Sequence, residues 1–370
     1  MFLSYQSLNK IHQLIDTPAL LIDAVQMEEN LRSMQNTADK YGCRLRPHIK
    51  THKSVLLADK QLKLGSSGIT AAKIGEAEVM ADAGITNIFI ANQLTHPLKI
   101  KRLFSLHKRA EIIIGLDNIK QIKLLEPVFS SASKPLKVRI EIDSGLHRCG
   151  LPVSSELLSL AKEAAGRSWL ELEGIFTHAG QAYAASSLQE VEQAGSEEGR
   201  LMAEAAEFLR KNNMEVKTVS TGSSPTAAFS AQNPAVNEIR PGNYIFYDAM
   251  QTALGSAKPE QCALYVLASV TSQPAPDRIV IDAGIKALNL DKTKSGQEHG
   301  KVVNISGRLV RLSEEHGIIQ LGKVRQIELG TPVLIIPNHA CTVVNLFDHY
   351  YIINKENIEL VPISARGKSQ

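Results

Sequence analysis

From Thr17 to about Asp248, short apolar runs alternate with longer segments in which apolar residues recur every three or four positions. PALLIDA, CRLRPHIK, SGITAAK, NIFIAN, EIIIGLD, LKVRIEID, LEGIFTH, VKTVSTG and VNEIRP read as strands. AVQMEENLRSMQNTADKYG, GEAEVMADAG and SLQEVEQAGSEEGRLMAEAAEFLRKN read as helices. Strand and helix alternating about eight times predicts a parallel sheet, and a closed (β/α)8 TIM-type barrel is its simplest form at this length. After Pro259 the texture changes to CALYVLASVTS, DRIVIDAG, GKVVNISGRLVRL, HGIIQLG, TPVLIIP, CTVVNLF and YYIIN, separated by Gly, Pro, Asp and Asn turns. This predicts a C-terminal all-β domain. The fold class is therefore α/β, with a barrel over residues 17–255, a β domain over 256–365, and an N-terminal segment, 1–16, packing on the β domain.

Charge removes several classes of partner. Lys plus Arg number 41 against 38 Asp plus Glu, which leaves no field to hold a nucleic acid or an anionic membrane. The N-terminal MFLSYQSLNKIHQ lacks a signal-peptide core, and no window approaches the roughly 18 apolar residues of a membrane span. A cytoplasmic protein acting on small molecules is expected. Cys43, Cys149, Cys262 and Cys341 are far apart and form no CxxC pair, so neither a disulfide framework nor a zinc ribbon is predicted.

The ends of the predicted strands carry the candidate chemistry, as barrel enzymes require. RPHIKTHK places five side chains that can be positive within eight residues and puts Lys50 where the chain leaves the barrel. Taken alone it reads first as a hydrated basic turn. Asp143 opens DSGLHRCG, which contains Arg148; His178 ends GIFTH, with Tyr183 beyond it. TGSSPT, Thr221 to Thr226, follows a strand with small residues whose backbone N–H groups can surround a phosphate. One amine, one partner for a ring nitrogen and one phosphate cradle at the same rim point to pyridoxal 5′-phosphate. In PNHACTVVN, His339 and Cys341 stand two apart in a strand-like run, which predicts both side chains on one face. Imidazole and thiolate suit Zn²⁺, although a core cysteine beside a surface histidine has the same pattern.

RPHIKTHK, DSGLHRCG, THAGQAY, TGSSPT, NEIRPGNYIFYD and PNHACTVVN, in this order, resemble the D-threonine aldolase and D-serine dehydratase family of alanine-racemase-like pyridoxal-phosphate enzymes. The resemblance implies Lys50 as the Schiff-base lysine and Arg148 facing the ring nitrogen. It places Tyr183 and His178 near the cofactor, Thr221, Gly222, Ser223 and Ser224 around the phosphate, and Tyr247 with Asp248 at the end of the last barrel strand. His339 and Cys341 become ligands for a divalent metal, zinc or else manganese or magnesium. His52 is a candidate base. Where several relatives have a glutamine near the ring, this chain has Ala72, which puts one ring contact in doubt. Asp282 and His349 are expected to be structural, and the terminal GKSQ a disordered tail.

The function implied is a metal-assisted lyase on 3-hydroxy D-amino acids, with the D-threonine aldolase reaction ahead of the D-serine dehydratase reaction. A racemase and a non-catalytic pyridoxal-phosphate carrier remain as alternatives. A homodimer is expected.

Overall fold

A computed structural model describes residues 5–293, 296, 298–355 and 357–370. The chain forms two compact units, one of residues Arg32–Gly242 with Gly367–Gln370, the other of residues up to Leu31 with Asn243–Arg366. The sequence reading had put the division near residue 255.

In the second of these units lies the first strand, β1 (Ala19–Asp23). The first unit is the barrel. Its strands are β2 (Arg44–Leu45), β3 (Ile69–Ala71), β4 (Asn87–Ile90), β5 (Glu111–Leu116), β6 (Leu136–Glu141), β7 (Leu170–Phe176), β8 (Thr218–Thr221) and β9 (Glu238–Ile239). All neighbouring pairs are parallel, in the order β2-β9-β8-β7-β6-β5-β4-β3, and a parallel bridge between His48 and Thr70 joins the two ends. The barrel interior holds buried charge. Glu238 accepts from Arg46 Nε at 2.9 Å and from Arg139 Nη1 at 2.5 Å, while Arg139 Nε reaches Glu173 at 2.6 Å. Arg139 also lies 4.7 Å over the Phe89 ring. Burial opposes the charge on Glu238, but Arg139 and Arg46 outweigh it and hold this carboxyl well below the usual range. Removing one partner would strand the others without water.

The other unit contains β10 (Leu264–Ala275), β11 (Arg278–Ile281), β12 (Lys301–Val302), β13 (Gly307–Leu312), β14 (Gly317–Leu321), β15 (Pro332–Ile336), β16 (His349–Asn354) and β17 (Asn357–Pro362). They form one sheet in the order β13-β14-β11-β10-β1-β16-β17, with β15 pairing to β10 and β12. Leu8, Ile11 and Ile15 of the N-terminal segment pack with Leu21, Leu267, Leu334 and Ile353 in its core.

Three expectations are corrected here. PALLIDA is not a barrel strand: β1 pairs antiparallel with β10 and parallel with β16. Its first four residues are all buried, so the run has no alternation that could assign it to one sheet. CTVVNLF is not a strand either, because Ala340–Val344 is a short helix. The terminal GKSQ is placed on the barrel unit, where the Gly75 amide donates to the Gln370 carbonyl at 2.9 Å, ahead of the helix Ile74–Asp82. Among the described residues no helix is long and apolar enough to cross a membrane.

Candidate functional site

The loop after β2 carries two lysines, Lys50 and Lys53, and the structure treats them differently. Lys53 is buried in a left-handed backbone conformation and its Nζ pairs with Glu76 at 2.5 Å. Glu76 also caps the amides of Ala72 and Lys73, so Lys53 is tied to the start of the next helix. Lys50 is half-buried, and its amide donates to His48 Nδ1 at 3.3 Å. Ala72, where the relatives' glutamine was expected, contributes its backbone to the Glu76 cap.

His52 is fully buried. Its Nδ1 accepts from the Ser54 amide at 3.1 Å, which leaves the proton on Nε2, 3.2 Å from Gln61 Oε1. Burial pushes its pKa down to about 4. With both ring nitrogens engaged, His52 braces the Lys50 loop.

His178 follows β7, and its Nδ1–H donates to the Gly222 carbonyl at 2.7 Å. That bond fixes the tautomer with an unprotonated Nε2. Burial, then the charges of Lys50, Arg148 and Arg240, push its pKa down to about 3. His48 is likewise held well below its ordinary value by burial, Lys50 and Arg240. The Lys50 loop, His178 and Arg240 are thus electrostatic neighbours at one end of the barrel. Tyr183 is half-buried on the short turn Gly180–Ala184 that follows.

Thr221 ends β8 and is buried, with its hydroxyl 2.9 Å from that of Ser230. Gly222, Ser223 and Ser224 follow, all buried. A Cβ on Gly222 would lie 3.1 Å from an Arg240 guanidinium nitrogen, and one on Gly242 would lie 3.0 Å from the His48 carbonyl. Glycine at both positions keeps this cradle open. Ser224 Oγ accepts from the Gly242 amide at 3.2 Å, joining the loop after β8 to the chain after β9. Arg240 lies beneath, donating to Ser220 Oγ and to the Thr177 carbonyl, each at 2.5 Å, with its guanidinium 5.3 Å from the Phe176 ring centroid. An open, hydroxyl-bearing cradle over an arginine, beside two histidines held neutral by burial and then by neighbouring cations, fits a phosphate ester.

Arg148 is exposed on the loop after β6. Asp143 shapes that loop by accepting the Gly145 and His147 amides, both at 3.0 Å, and His147 Nδ1 at 2.9 Å. Asp117, Glu141 and Cys149 bring ligand-type atoms within 4.8 Å of one another here. Gln93 donates to Glu141, and Gln121 donates to Asp117 at 2.7 Å. The cluster places negative charge beside Arg148.

In the other unit, His339 and Cys341 do not share a strand face. His339 precedes the helix Ala340–Val344 and Cys341 is its second residue, so helix geometry, not strand alternation, presents the two donors. They still meet. Burial lowers the His339 pKa, yet its contact with Cys341 and the charges of Asp248 and Asp291 outweigh burial and raise it to about 9. Asp248 is buried and accepts the Ala340 amide at 2.9 Å and Asn243 Nδ2 at 2.6 Å, while Asp291 Oδ2 lies 3.8 Å from His339 Nδ1. An imidazole and a thiol set among carboxylates are a donor set suited to a divalent cation. Tyr247, expected at the end of the last barrel strand and against the cofactor, packs on the core of this unit in a left-handed conformation. Burial raises its pKa to about 12.

Sequence reasoning missed Arg240, Asp291 and the buried Glu198. Arg240 had a usable signal, a strand-end arginine in the quoted NEIRPGNY. Asp291 and Glu198 sit in ordinary polar stretches, and only their burial or neighbours distinguish them.

Residues 22–249 match the family model of the alanine racemase N-terminal domain, and residues 263–353 that of a serine dehydratase domain. A D-threonine aldolase of Arthrobacter sp. is 31% identical over 362 residues, covering 96% of this chain and 94% of the relative. The crystal structure of D-threonine aldolase from Filomicrobium marinum superposes with a TM-score of 0.90 at 30% identity, covering 96% of each chain. D-threo-3-hydroxyaspartate dehydratase from Delftia sp. HT23 gives 0.89 at 30% identity, covering 94% of this chain and 97% of that one; a cysteine-to-alanine variant of D-threo-3-hydroxyaspartate dehydratase has been solved in a metal-free form. With its barrel model matched over more than half its length and its relatives matched nearly end to end, the chain belongs to the alanine racemase N-terminal domain family, in the branch that carries a serine dehydratase domain.

Proposed function

We propose that this protein is a lyase dependent on pyridoxal 5′-phosphate and a divalent metal, acting on 3-hydroxy D-amino acids in the manner of a D-threonine aldolase. The observation that carries the reading is the barrel mouth, where the charge of Lys50 acts on His178, His178 is bonded to the Gly222 carbonyl of the cradle, and the alternative amine, Lys53, is committed to Glu76.

When bound, the cofactor supplies an aldehyde for a primary amine and a conjugated ring that withdraws electrons from the carbon on that amine. Lys50 would be the attachment point, and its amine the group that would carry a proton to or from the substrate. Gly222, Ser223, Ser224 and Thr221 hold the phosphate. Arg148 presents a guanidinium, which donates hydrogen bonds and accepts none, so a ring nitrogen facing it would receive a hydrogen bond and keep no proton of its own. That weakens the ring as an electron sink and favours reactions helped by a second electrophile. His178 offers an unprotonated Nε2, and Tyr183 a hydroxyl, for contacts to the ring.

His339 and Cys341 hold the metal, with Zn²⁺ favoured by the sulfur donor over Mn²⁺ or Mg²⁺. A divalent ion there supplies a Lewis acid for the substrate hydroxyl, lowering its pKa. Loss of the hydroxyl proton with cleavage of Cα–Cβ would release an aldehyde and leave the electron pair of that bond on Cα, which takes up a proton to give glycine. The second reading is a dehydratase, in which the α-proton goes to Lys50 and hydroxide leaves to give an enamine that hydrolyses to pyruvate and ammonia from D-serine. The Cys341 thiolate, a soft ligand for zinc, is the observation in its favour. A cytoplasmic homodimer completes the proposal, with light scattering to check the dimer.

The deciding experiment incubates metal-loaded protein with D-threonine, L-threonine and D-serine and assays acetaldehyde, glycine, pyruvate and ammonia separately. Acetaldehyde with glycine from D-threonine alone supports the aldolase. Pyruvate with ammonia from D-serine transfers the assignment to the dehydratase. No product from any of the three, with cofactor and metal bound, removes the lyase reading for these substrates.

A further inference from the structure

Glu198 lies on the long helix Leu188–Lys211 and is fully buried, yet none of the chemistry above uses it. Its Oε1 accepts from the Gly222 amide at 3.0 Å, and its Oε2 is 2.8 Å from Thr226 Oγ1. Thr226 Oγ1 is in turn 2.9 Å from Ser223 Oγ, in the phosphate cradle. We infer that Glu198 sets the direction of this hydroxyl chain and takes up a proton when a phosphate ester binds in the cradle. The inference rests on the phosphate reading of Gly222–Ser224.

Each hydroxyl has one hydrogen to give. With Glu198 ionised, Thr226 must donate to the carboxylate, so Ser223 donates to Thr226 and turns lone pairs towards the cradle. That polarity repels an anion. With Glu198 protonated the chain reverses: Oε2–H donates to Thr226, Thr226 to Ser223, and the Ser223 hydrogen is left for a phosphate oxygen. The Gly222 amide bond to Oε1 persists in both states. An arriving dianion disfavours a second buried negative charge nearby, which pushes in the same direction.

Arg240 is a charged neighbour of Glu198 and favours its ionised form, although its guanidinium already donates to Ser220 and Thr177. From the end of β7 the facing titratable group is His178, held neutral, and the turn Gly180–Ala184 contributes Tyr183. The helix Ala227–Ser230 carries no titratable side chain. The Ala179 amide also donates towards Glu198 and favours its charged form, but burial, the largest influence, raises the pKa of this carboxyl.

The test uses pyridoxine 5′-phosphate, which carries the phosphate but no aldehyde to react with lysine. At pH 8 its phosphate is already a dianion, since the second pKa is about 6. Calorimetry in two buffers of different ionisation enthalpy then reads protons taken up by the protein. Any uptake by His48 or His178 is common to wild type and Glu198→Gln, so the difference reports Glu198. Wild type is expected to take up more, by as much as about one proton. Glu198→Gln should bind within about threefold of wild type, because its amide nitrogen donates to Thr226 and its oxygen accepts from Gly222. As pH rises from 7 to 9, wild-type affinity should fall relative to the variant. Should Glu198→Gln not fold, infrared difference spectra of wild type with labelled glutamate should show a protonated-carboxyl band appearing on binding. Equal proton uptake in the two proteins, binding by the variant more than about tenfold weaker, or no new carboxyl band overturns the inference and leaves the cofactor reading standing. Failure of wild type to bind the probe at all removes the phosphate reading and the inference with it.

Discussion

The two units treat histidine in opposite ways. At the barrel mouth, His178 is pushed down to about 3 and His48 well below its ordinary value, by burial and then by the charges of Lys50 and Arg240. In the β unit, His339 is half-buried, but Cys341, Asp248 and Asp291 outweigh that burial and raise it to about 9. Burial opposes protonation in both places, so the sign of the outcome is set by the neighbours. A mouth lined by cations is prepared for an anion such as a phosphate ester, and a donor pair ringed by acids is prepared for a metal ion. The two imidazoles thus report the sign of the charge around each proposed site.

The largest expected effect tests the anion side. Lys50→Ala should lower turnover at least about a thousandfold, about 4 kcal/mol in the barrier, and borohydride reduction of the native protein followed by peptide mapping should place the pyridoxyl group on Lys50. A label on Lys53 would break the comparison, because that amine belongs to the Glu76 pair.

Next comes the stability cost of keeping buried barrel histidines neutral. His52 binds its proton at about 4 when folded and near 6.5 when unfolded, so its contribution is complete above pH 6.5 and is lost as pH falls towards 4. The loss is of the order of 3 kcal/mol. Urea unfolding at pH 7 and pH 4.5 should show it, and His52→Gln should flatten that part of the profile. Glu238, whose folded pKa is depressed, adds its own loss only at more acid pH.

The cation side comes third. Chelation, or Cys341→Ala, should reduce turnover at least about a hundredfold, about 2.7 kcal/mol, while absorbance of the bound cofactor stays in place. Cys341→Asp should move metal preference from Zn²⁺ towards Mn²⁺ or Mg²⁺ in a metal-titration series. Full activity in metal-free protein would reduce the acid-ringed histidine to an internal ion pair. The smallest effect is expected at Arg148, which is exposed and acts on the ring nitrogen alone. Arg148→Glu should change turnover by about tenfold and alter product ratios with D-threonine and D-serine more than cofactor binding. Unchanged ratios would mean that Arg148 does not govern the ring.

What the sequence determined by itself was local. The eight parallel strands of the barrel, the all-β texture after Pro259, and the position of Lys50, Arg148, His178 and Thr221–Ser224 beyond strand ends all follow from periodicity and from the order of neighbouring residues. Resemblance added the roles. Tertiary structure decided everything that depends on a partner distant in the chain. It sent Ala19–Asp23 to β10 and β16, because a strand buried on both faces carries no mark of the sheet it will join. It separated two lysines three residues apart by pairing Lys53 with Glu76. It turned His339 and Cys341 onto the start of a helix, since a run as short as Ala340–Val344 satisfies helix and strand periods alike. It also brought Glu198 from a helix of unremarkable polar pattern to the Gly222 amide, 24 residues away. Charge, burial and hydrogen-bond direction are properties of contacts, and contacts between distant residues exist only once the chain has folded.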